Sequence, residues 1–390
     1  MRVTHVITRL IVGGAQENTV ASVLGLQQRT SWNISLISGP SPGTEGTLAP
    51  AFDHRPGDLS IIPQLVRPVH PWKDALAWRR LVALFRQTRP DIVHTHSGKA
   101  GILGRLAAAR ANVPVIVHTI HGPSFGPFQG LAANWAFCAA ERYAGKFTTH
   151  FVTVADAMTE QYLEAGIGRP GQYTKILSGF DLAPYASDFD VRGIRARLGL
   201  RADDIVIGKV ARLFTLKGHE DLLAIAPALV RECPAIKILL VGDGACRGAL
   251  EEKARALGVR ERVIFAGLVR PAEIPGLLAA TDMVTHLSRR EGLARALPQA
   301  LAAGRPVVAY NCDGAREVCI NDQTGFLVEP GNLAELKERL LQLARDPALR
   351  LRLGSEGRRR VHDQFGIDRM IDRLRRLYLE LAAANQIPVT

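Results

Sequence analysis

Three observations predict an α/β fold of two doubly wound, Rossmann-like domains. They are the length of the chain, an alternation of short β-branched runs with longer helical patterns, and a restart of that alternation past the midpoint. At 390 residues the chain exceeds the size at which one hydrophobic core keeps growing, so two domains are expected. In the first half the strand candidates are Val3–Ile7, Asn33–Ser38, Ile92–His94, Val115–His118, Phe151–Val154 and Lys175–Leu177. Helical spacing of apolar residues marks Glu17–Gln27, Ala75–Gln87 and Gly101–Ala109 between them. The Pro- and Gly-rich segment Gly39–Pro63 reads as a long loop with little regular structure.

The pattern restarts with a strand at Ile205–Val210 and a helix at His219–Arg231. It continues through Ile236–Val241, the helix Ala249–Leu257, and strands at Val263–Ala266, Met283–His286 and Pro306–Ala309. A helix from about Leu297 to Ala303 lies between the last two. The polar stretch Ala183–Asp190 reads as the linker, followed by the helix Val191–Leu198. Met370, Ile371, Leu374, Leu377 and Leu381 recur at helical spacing over Asp368–Ala384, so a final helix is expected to pack back on the first domain. The expected domains are therefore 1–186 with 366–390, and 187–365.

A hydrophobic content of 47% with 22% charged residues fits an ordinary soluble globular protein. The five cysteines form no CxxC pair, which speaks against a zinc site or a disulfide framework. The N-terminal strand is broken by Arg9 and Gly13-Gly14, unlike a signal peptide, and no apolar run is long enough to span a bilayer. A cytoplasmic location is expected. The net charge is +12, shared between both halves with no basic arm and no nucleic-acid module, so nucleic acid is not an expected partner. Either a generally basic surface or peripheral contact with the anionic inner face of the cell membrane would account for it.

Four segments carry chemistry. Gly13-Gly14 follow the first strand and precede a helix, where glycines let the backbone approach an anionic group; a bare turn is the alternative. Arg212 and Lys217 stand on a loop at the carboxyl end of a parallel strand, where both can converge on one diphosphate. Glu291 is read as lying just before a helix whose first amides, at Gly292, Leu293 and Ala294, face an anionic ligand; the alternative is a capping acid. Gln299 lies on that helix. Asp243-Gly244 belong to a further loop near the same edge, or are simple turn residues.

These segments resemble the family 4 glycosyltransferases of the GT-B fold. The resemblance runs over essentially the whole chain and rests on motifs in order: GGAQ at 13–16, HG at 121–122, RLxxxKG at 212–218, VGDG at 241–244, EG at 291–292 and AAGRPVVA at 302–309. Two positions depart from it. The family's second glutamate is Gln299 here, and its Asn-Gly-x-Asp after the last strand of the first lobe is Ser178-Gly179-Phe180-Asp181. The stretch from His94 and His96 through Lys99 to Gly101, with Val117-His118-Thr119-Ile120-His121-Gly122, resembles transferases that extend polyprenyl-diphosphate-linked sugars.

The resemblance implies a retaining transfer, across a cleft between the two lobes, from a nucleotide diphosphate sugar to a glycan acceptor, without metal or other cofactor. UDP-sugars are the first expected donors and GDP-mannose the second. Arg212 and Lys217 would stabilise the leaving diphosphate, with help from amides near Gly13-Gly14 and Gly292–Ala294. Glu291 would orient the donor sugar, Gln299 would take the ribose, and His121 would contact the sugar or the reacting centre unless it is a satisfied core histidine. Lys99, with His96 nearby, would meet an acceptor phosphate, or Lys99 is merely solvated. His94 and His96 alternate at a strand end, yet no carboxylate partner accompanies them and no metal is expected. A UDP-sugar 2-epimerase of the same fold and a non-catalytic nucleotide-sugar sensor are the competing readings.

Overall fold

In the computed structural model, residues 1–41, 46–55, 57–126 and 128–389 are described. The chain divides into two compact units, Met1–Phe180 with Ile367–Thr390, and Asp181–Gly366. The sequence boundaries lie at 186/187 and 365/366, a few residues away.

The first unit is built on β1 (Arg2–Ile7), α1 (Gly14–Arg29), β2 (Asn33–Ser38), β3 (Leu59–Ile61), α2 (Pro71–Thr88) and β4 (Ile92–His96). It continues with α3 (Gly98–Arg110), β5 (Val115–Ile120), α4 (Leu131–Gly145), β6 (His150–Thr153), α5 (Asp156–Glu164) and β7 (Tyr173–Lys175). The described strands form one sheet in the order β3-β2-β1-β4-β5-β6-β7, parallel throughout. Parallel strands covered by helices on both faces are buried on both sides, and every residue of β4 and β5 is buried. The strand order reverses between β1 and β4. In doubly wound sheets a ligand sits outside the carboxyl ends of the strands at such a point.

The C-terminal helix (Ile367–Ala384) belongs to this unit and buries Met370, Ile371, Leu374, Leu377, Tyr378 and Ala382. A Cβ on Gly25 of α1 would come within 2.1 Å of the Ile371 side chain, so the two helices pack too closely there for any larger residue.

The second unit comprises α6 (Val191–Arg197), β8 (Ile205–Val210), α7 (His219–Glu232), β9 (Ile236–Val241), α8 (Arg247–Ala256), β10 (Val263–Gly267) and α9 (Ile274–Ala279). Then come β11 (Met283–His286), α10 (Ala296–Ala302), β12 (Val307–Tyr310), β13 (Gly325–Val328), α11 (Leu333–Arg345) and α12 (Pro347–Gln364). Its described sheet runs β10-β9-β8-β11-β12-β13, again parallel. The reversal here falls between β8 and β11. Leu222, Leu223, Ala226 and Leu229 of α7 form the stripe that closes one face of this sheet.

Three expectations need correction. The segment 39–63 has little regular structure in its described residues, as expected, but Leu59–Ile61 add the unforeseen β3 at the sheet edge and Ala49–Phe52 form a 3₁₀ turn, with residues 42–45 and 56 lying outside the described residues. Edge strands are short and only half-buried, so they lack the apolar run that announces a central strand. The last strand of the first unit is Tyr173–Lys175 rather than Lys175–Leu177. Finally, α10 begins at Ala296, with Arg295 at its N-cap, so Glu291 does not cap it and Gly292, Leu293 and Ala294 precede the helix. No described helix is long and apolar enough to cross a membrane.

Candidate active site

In the second unit the switch point gathers the residues that end β8 and β11. Arg212 is exposed after β8, its guanidinium 5.0 Å from the centre of the Phe214 ring. Lys217 follows Leu216, whose φ of +67° is left-handed, and precedes Gly218, also at +67°. A Cβ on Gly218 would lie 2.1 Å from the Leu287 carbonyl oxygen. Only glycine therefore lets the β8–α7 turn approach the end of β11 and bring Lys217 to Glu291.

The Lys217 ammonium is ion-paired with the Glu291 carboxylate. Ser288 Oγ donates to the same carboxylate at 3.2 Å, and the Glu291 amide donates to Asp313 Oδ2 at 2.7 Å. Burial, the largest single influence, opposes ionisation of Glu291, but the Lys217 ammonium, His286 and the Ser288 hydroxyl together hold the carboxyl below its ordinary value. Arg289 and the Tyr310 hydroxyl both bond Asp221, at 2.9 and 2.8 Å. Asp243 is paired with Arg247 at 2.8 Å and accepts from the Gly244 amide at 2.7 Å. Gln299 is half-buried on α10.

Three residues around this pair were not singled out from the sequence. Lys209 on β8 is fully buried, and its Nζ has no hydrogen-bond partner among the described residues. Desolvation lowers its pKa to about 7. His286, at the end of β11, is held at about 3 chiefly by burial; its Nε2 lies 3.8 Å from Glu291 Oε1, and neither ring nitrogen has a hydrogen-bond partner among the described residues. His219 bonds the Arg212 carbonyl through Nε2 at 3.0 Å while its Nδ1 is unpartnered. Lys209 sits inside an apolar strand, the one signal the sequence offered: a lysine in a run buried on both faces conflicts with its surroundings.

The first unit is organised differently. His5 of β1 is in register with His94 of β4, and His96 with Thr119 of β5. Because side chains alternate across a strand, His5, His94, His96 and Thr119 share one face. Tyr378 of the C-terminal helix covers it. A hydrogen-bonded line results. His121 Nε2 meets His96 Nδ1 at 3.0 Å, and His96 Nε2 meets His5 Nδ1 at 2.9 Å. His5 Nε2 meets the Tyr378 hydroxyl at 3.2 Å, which meets His94 Nδ1 at 2.5 Å. His94 Nε2 meets Thr119 Oγ1 at 2.6 Å.

Burial lowers the pKa of His5 to about 3 and of His121 to about 4, and pushes His94 and His96 well below the ordinary range. All four are neutral at neutral pH. Nitrogens of His5, His94 and His96 lie within 4.8 Å of one another, but every ring nitrogen of the three is already engaged in this line.

Ser97, directly after His96, has φ +66° and ψ +165°, a region in which only glycine is at ease; such strain tends to persist at functional turns. Lys99, beside it, is ion-paired with Asp74 at 2.5 Å. Gly13, at the N-terminus of α1, has φ 177°, extended backbone that any residue adopts. Its use as a glycine thus rests on close approach alone.

Residues 14–179 match the model of the glycosyl transferase 4-like domain, and residues 190–360 that of the glycosyl transferases group 1. The UDP-Gal:alpha-D-GlcNAc-diphosphoundecaprenol alpha-1,3-galactosyltransferase of Escherichia coli is 26% identical over 98% of this chain and 97% of its own. The capsular polysaccharide biosynthesis glycosyltransferase CapM of Staphylococcus aureus is 23% identical over 82% and 84%. Among solved structures, Anabaena HepE in complex with UDP-glucose superposes with a TM-score of 0.82 at 23% identity, covering 97% of this chain and all of that one. Two parallel Rossmann-like units and these matches define a glycosyltransferase of the GT-B fold. The chain belongs to the family 4 type of these enzymes.

Proposed function

We propose that the protein is a retaining transferase that moves a hexose or N-acetylhexosamine from a nucleotide diphosphate sugar, with UDP-sugars favoured over GDP-mannose. The acceptor is a glycan carried on a polyprenyl diphosphate, and the product enters surface polysaccharide or glycoconjugate assembly. The observation that carries this reading is the Lys217–Glu291 pair at the β8/β11 switch point, with Arg212 exposed on the same β8–α7 turn as Lys217. A cation already positioned by a carboxylate can take a leaving diphosphate without reorganising, and preplaced charge is usually the largest contribution to catalysis. Glu291 is then the group that orients the donor sugar.

Gln299 takes the ribose hydroxyls as a neutral donor and acceptor. The UDP-glucose complex of the structural neighbour and the diphosphoundecaprenol substrate of the E. coli relative support the donor and acceptor classes. His121 contacts the sugar or the reacting centre, and no metal or cofactor takes part. Attachment at the inner face of the membrane follows from a lipid-linked acceptor. It is supported by exposed Trp72, Leu131 and Trp135, at 79, 90 and 73% accessibility, and by the basic charge.

A donor panel read as nucleotide diphosphate release, with and without a polyprenyl-diphosphate-linked acceptor, tests the proposal. Release that depends on acceptor and is fastest with a UDP-sugar is expected. Epimer formation from a UDP-sugar alone would move the protein to the 2-epimerases, and no release or epimer from any donor would favour the sensor.

A further inference from the structure

The line of rings in the first unit has a property that its members lack singly. A neutral imidazole has one N–H donor and one bare nitrogen acceptor. His96, His5 and His94 each use both nitrogens within the line, so a proton assigned to one ring passes its direction to the next. Tyr378 could accept from both of its neighbours, but its buried O–H would then have no acceptor among the described residues, so two polarities remain.

In the first, the Thr119 hydroxyl donates to His94 Nε2. His94 Nδ1–H then donates to the Tyr378 oxygen, and Tyr378 O–H to His5 Nε2. His5 Nδ1–H donates to His96 Nε2, and His96 Nδ1–H to His121 Nε2. The proton of His121 is left on Nδ1, pointing out of the line. In the second polarity every bond reverses. Thr119 Oγ1 must then accept from His94, and its own proton needs another acceptor. Thr119 is 4% exposed, and its Oγ1 bonds no described residue but His94. A buried donor without a partner is costly, so the first polarity is preferred. Burial of the rings excludes a third, charged arrangement at neutral pH.

We propose that Thr119, His94, Tyr378, His5 and His96 form a positioning chain that holds His121 as its Nδ1–H tautomer, so that it offers a hydrogen-bond donor to an oxygen of the donor substrate. That oxygen is a sugar hydroxyl or a phosphate oxygen. The assignment rests on the reading of His121 as a substrate-contacting residue. His121 Nδ1 has no partner among the described residues, so it is available for this. The other ring nitrogen of a histidine sets its tautomer in general; here the setting is relayed through four side chains to the hydroxyl of Thr119, two residues before His121 on β5. It also gives the C-terminal helix a task beyond packing, because Tyr378 joins the β1 and β4 histidines through a single oxygen.

The test uses the full chain labelled with ¹⁵N-histidine, with long-range ¹H–¹⁵N spectra assigned by His121→Gln. Wild-type protein is expected to show a protonated Nδ1 and a bare Nε2 at His121. Thr119→Val, which keeps the shape and removes the hydroxyl, is expected to give a mixture of tautomers, and so is Tyr378→Phe. In both, kcat should fall about 10- to 100-fold, as for lost supporting partners elsewhere, while KM for the donor stays within about twofold. Thr119→Ser should restore the tautomer and kcat together. A wild-type His121 protonated at Nε2 overturns the chain, as does an unchanged tautomer in both Thr119→Val and Tyr378→Phe. The substrate role fails separately: if His121→Gln turns over normally, His121 does not act on the substrate, whatever its tautomer.

Discussion

The two units share one architecture and place their polar groups at the same topological point, yet they treat those groups in opposite ways. In the first unit the polar centre is neutral, buried and hydrogen-bonded from Thr119 to His96, a line of imidazoles bridged by Tyr378 that leaves only His121 Nδ1 open among the described residues. In the second it is charged and partly unsatisfied: Lys217 and Glu291 are paired, while Lys209 Nζ and both nitrogens of His286 have no hydrogen-bond partner among the described residues. A satisfied buried network rigidifies its surroundings, whereas an unpaired buried group is held at a cost. The first arrangement suits a group that must keep one geometry. The second suits a place where an anion arrives and supplies the missing partner.

The strongest way to break this comparison is to remove the charges of the second unit. Lys217→Ala or Arg212→Ala is expected to lower turnover by about 10²- to 10³-fold with the far-ultraviolet circular dichroism unchanged. A folded variant with normal kcat would remove the diphosphate assignment from that residue.

Acid should separate the units next. The histidines of the first unit titrate near 6.5 when unfolded, but His5 and His121 are lowered to about 3 and about 4, with His94, His96 and His118 lowered as well. Below pH 6.5 the unfolded chain therefore binds more protons than the native one, so stability is full above that pH and falls as the pH drops towards 4. Each such histidine contributes up to about 1.4 kcal/mol per pH unit to the slope. The second unit has two comparable rings, His219 and His286. Hydrogen exchange at pH 5 against pH 7 should show β1, β4 and β5 losing protection before β8 and β11. The reverse order would mean that the histidine line is not the acid-sensitive element.

The smallest effect concerns Lys209. Its pKa of about 7, against 10.5 when unfolded, makes the native protein gain stability as pH rises from 7 towards 10.5. Lys209→Met removes the buried unpaired amine, and urea denaturation at pH 7 should show a gain on the order of 1 kcal/mol. A loss instead would show that Lys209 is bonded in solution and supports the fold.

Much of the architecture was legible from residue order. Ile205–Val210, Ile236–Val241 and Met283–His286 are strands with those very limits, because parallel strands buried on both faces leave continuous apolar runs. The final helix was equally plain from its period. Less legible were β3, short and half-buried, and the start of α10, where Ser288–Arg295 continue in sequence into a helix but not in backbone. Lys217, Glu291 and Arg212 were recognisable because their motif spacing follows the turns that place them. Tyr378 was not, since a tyrosine on an amphipathic helix reads as one more core residue.

By itself, then, the order of amino acids determined two doubly wound units, the turns at their switch points, and the family to which they belong. These follow from local periodicity and short-range backbone geometry. Only the tertiary structure decided that Lys217 pairs with Glu291 across 74 positions, and that His5, His94, His96 and Tyr378 meet on one face, Tyr378 lying 373 positions from His5. Strand register and helix docking, rather than any local pattern, bring such distant groups within hydrogen-bonding distance.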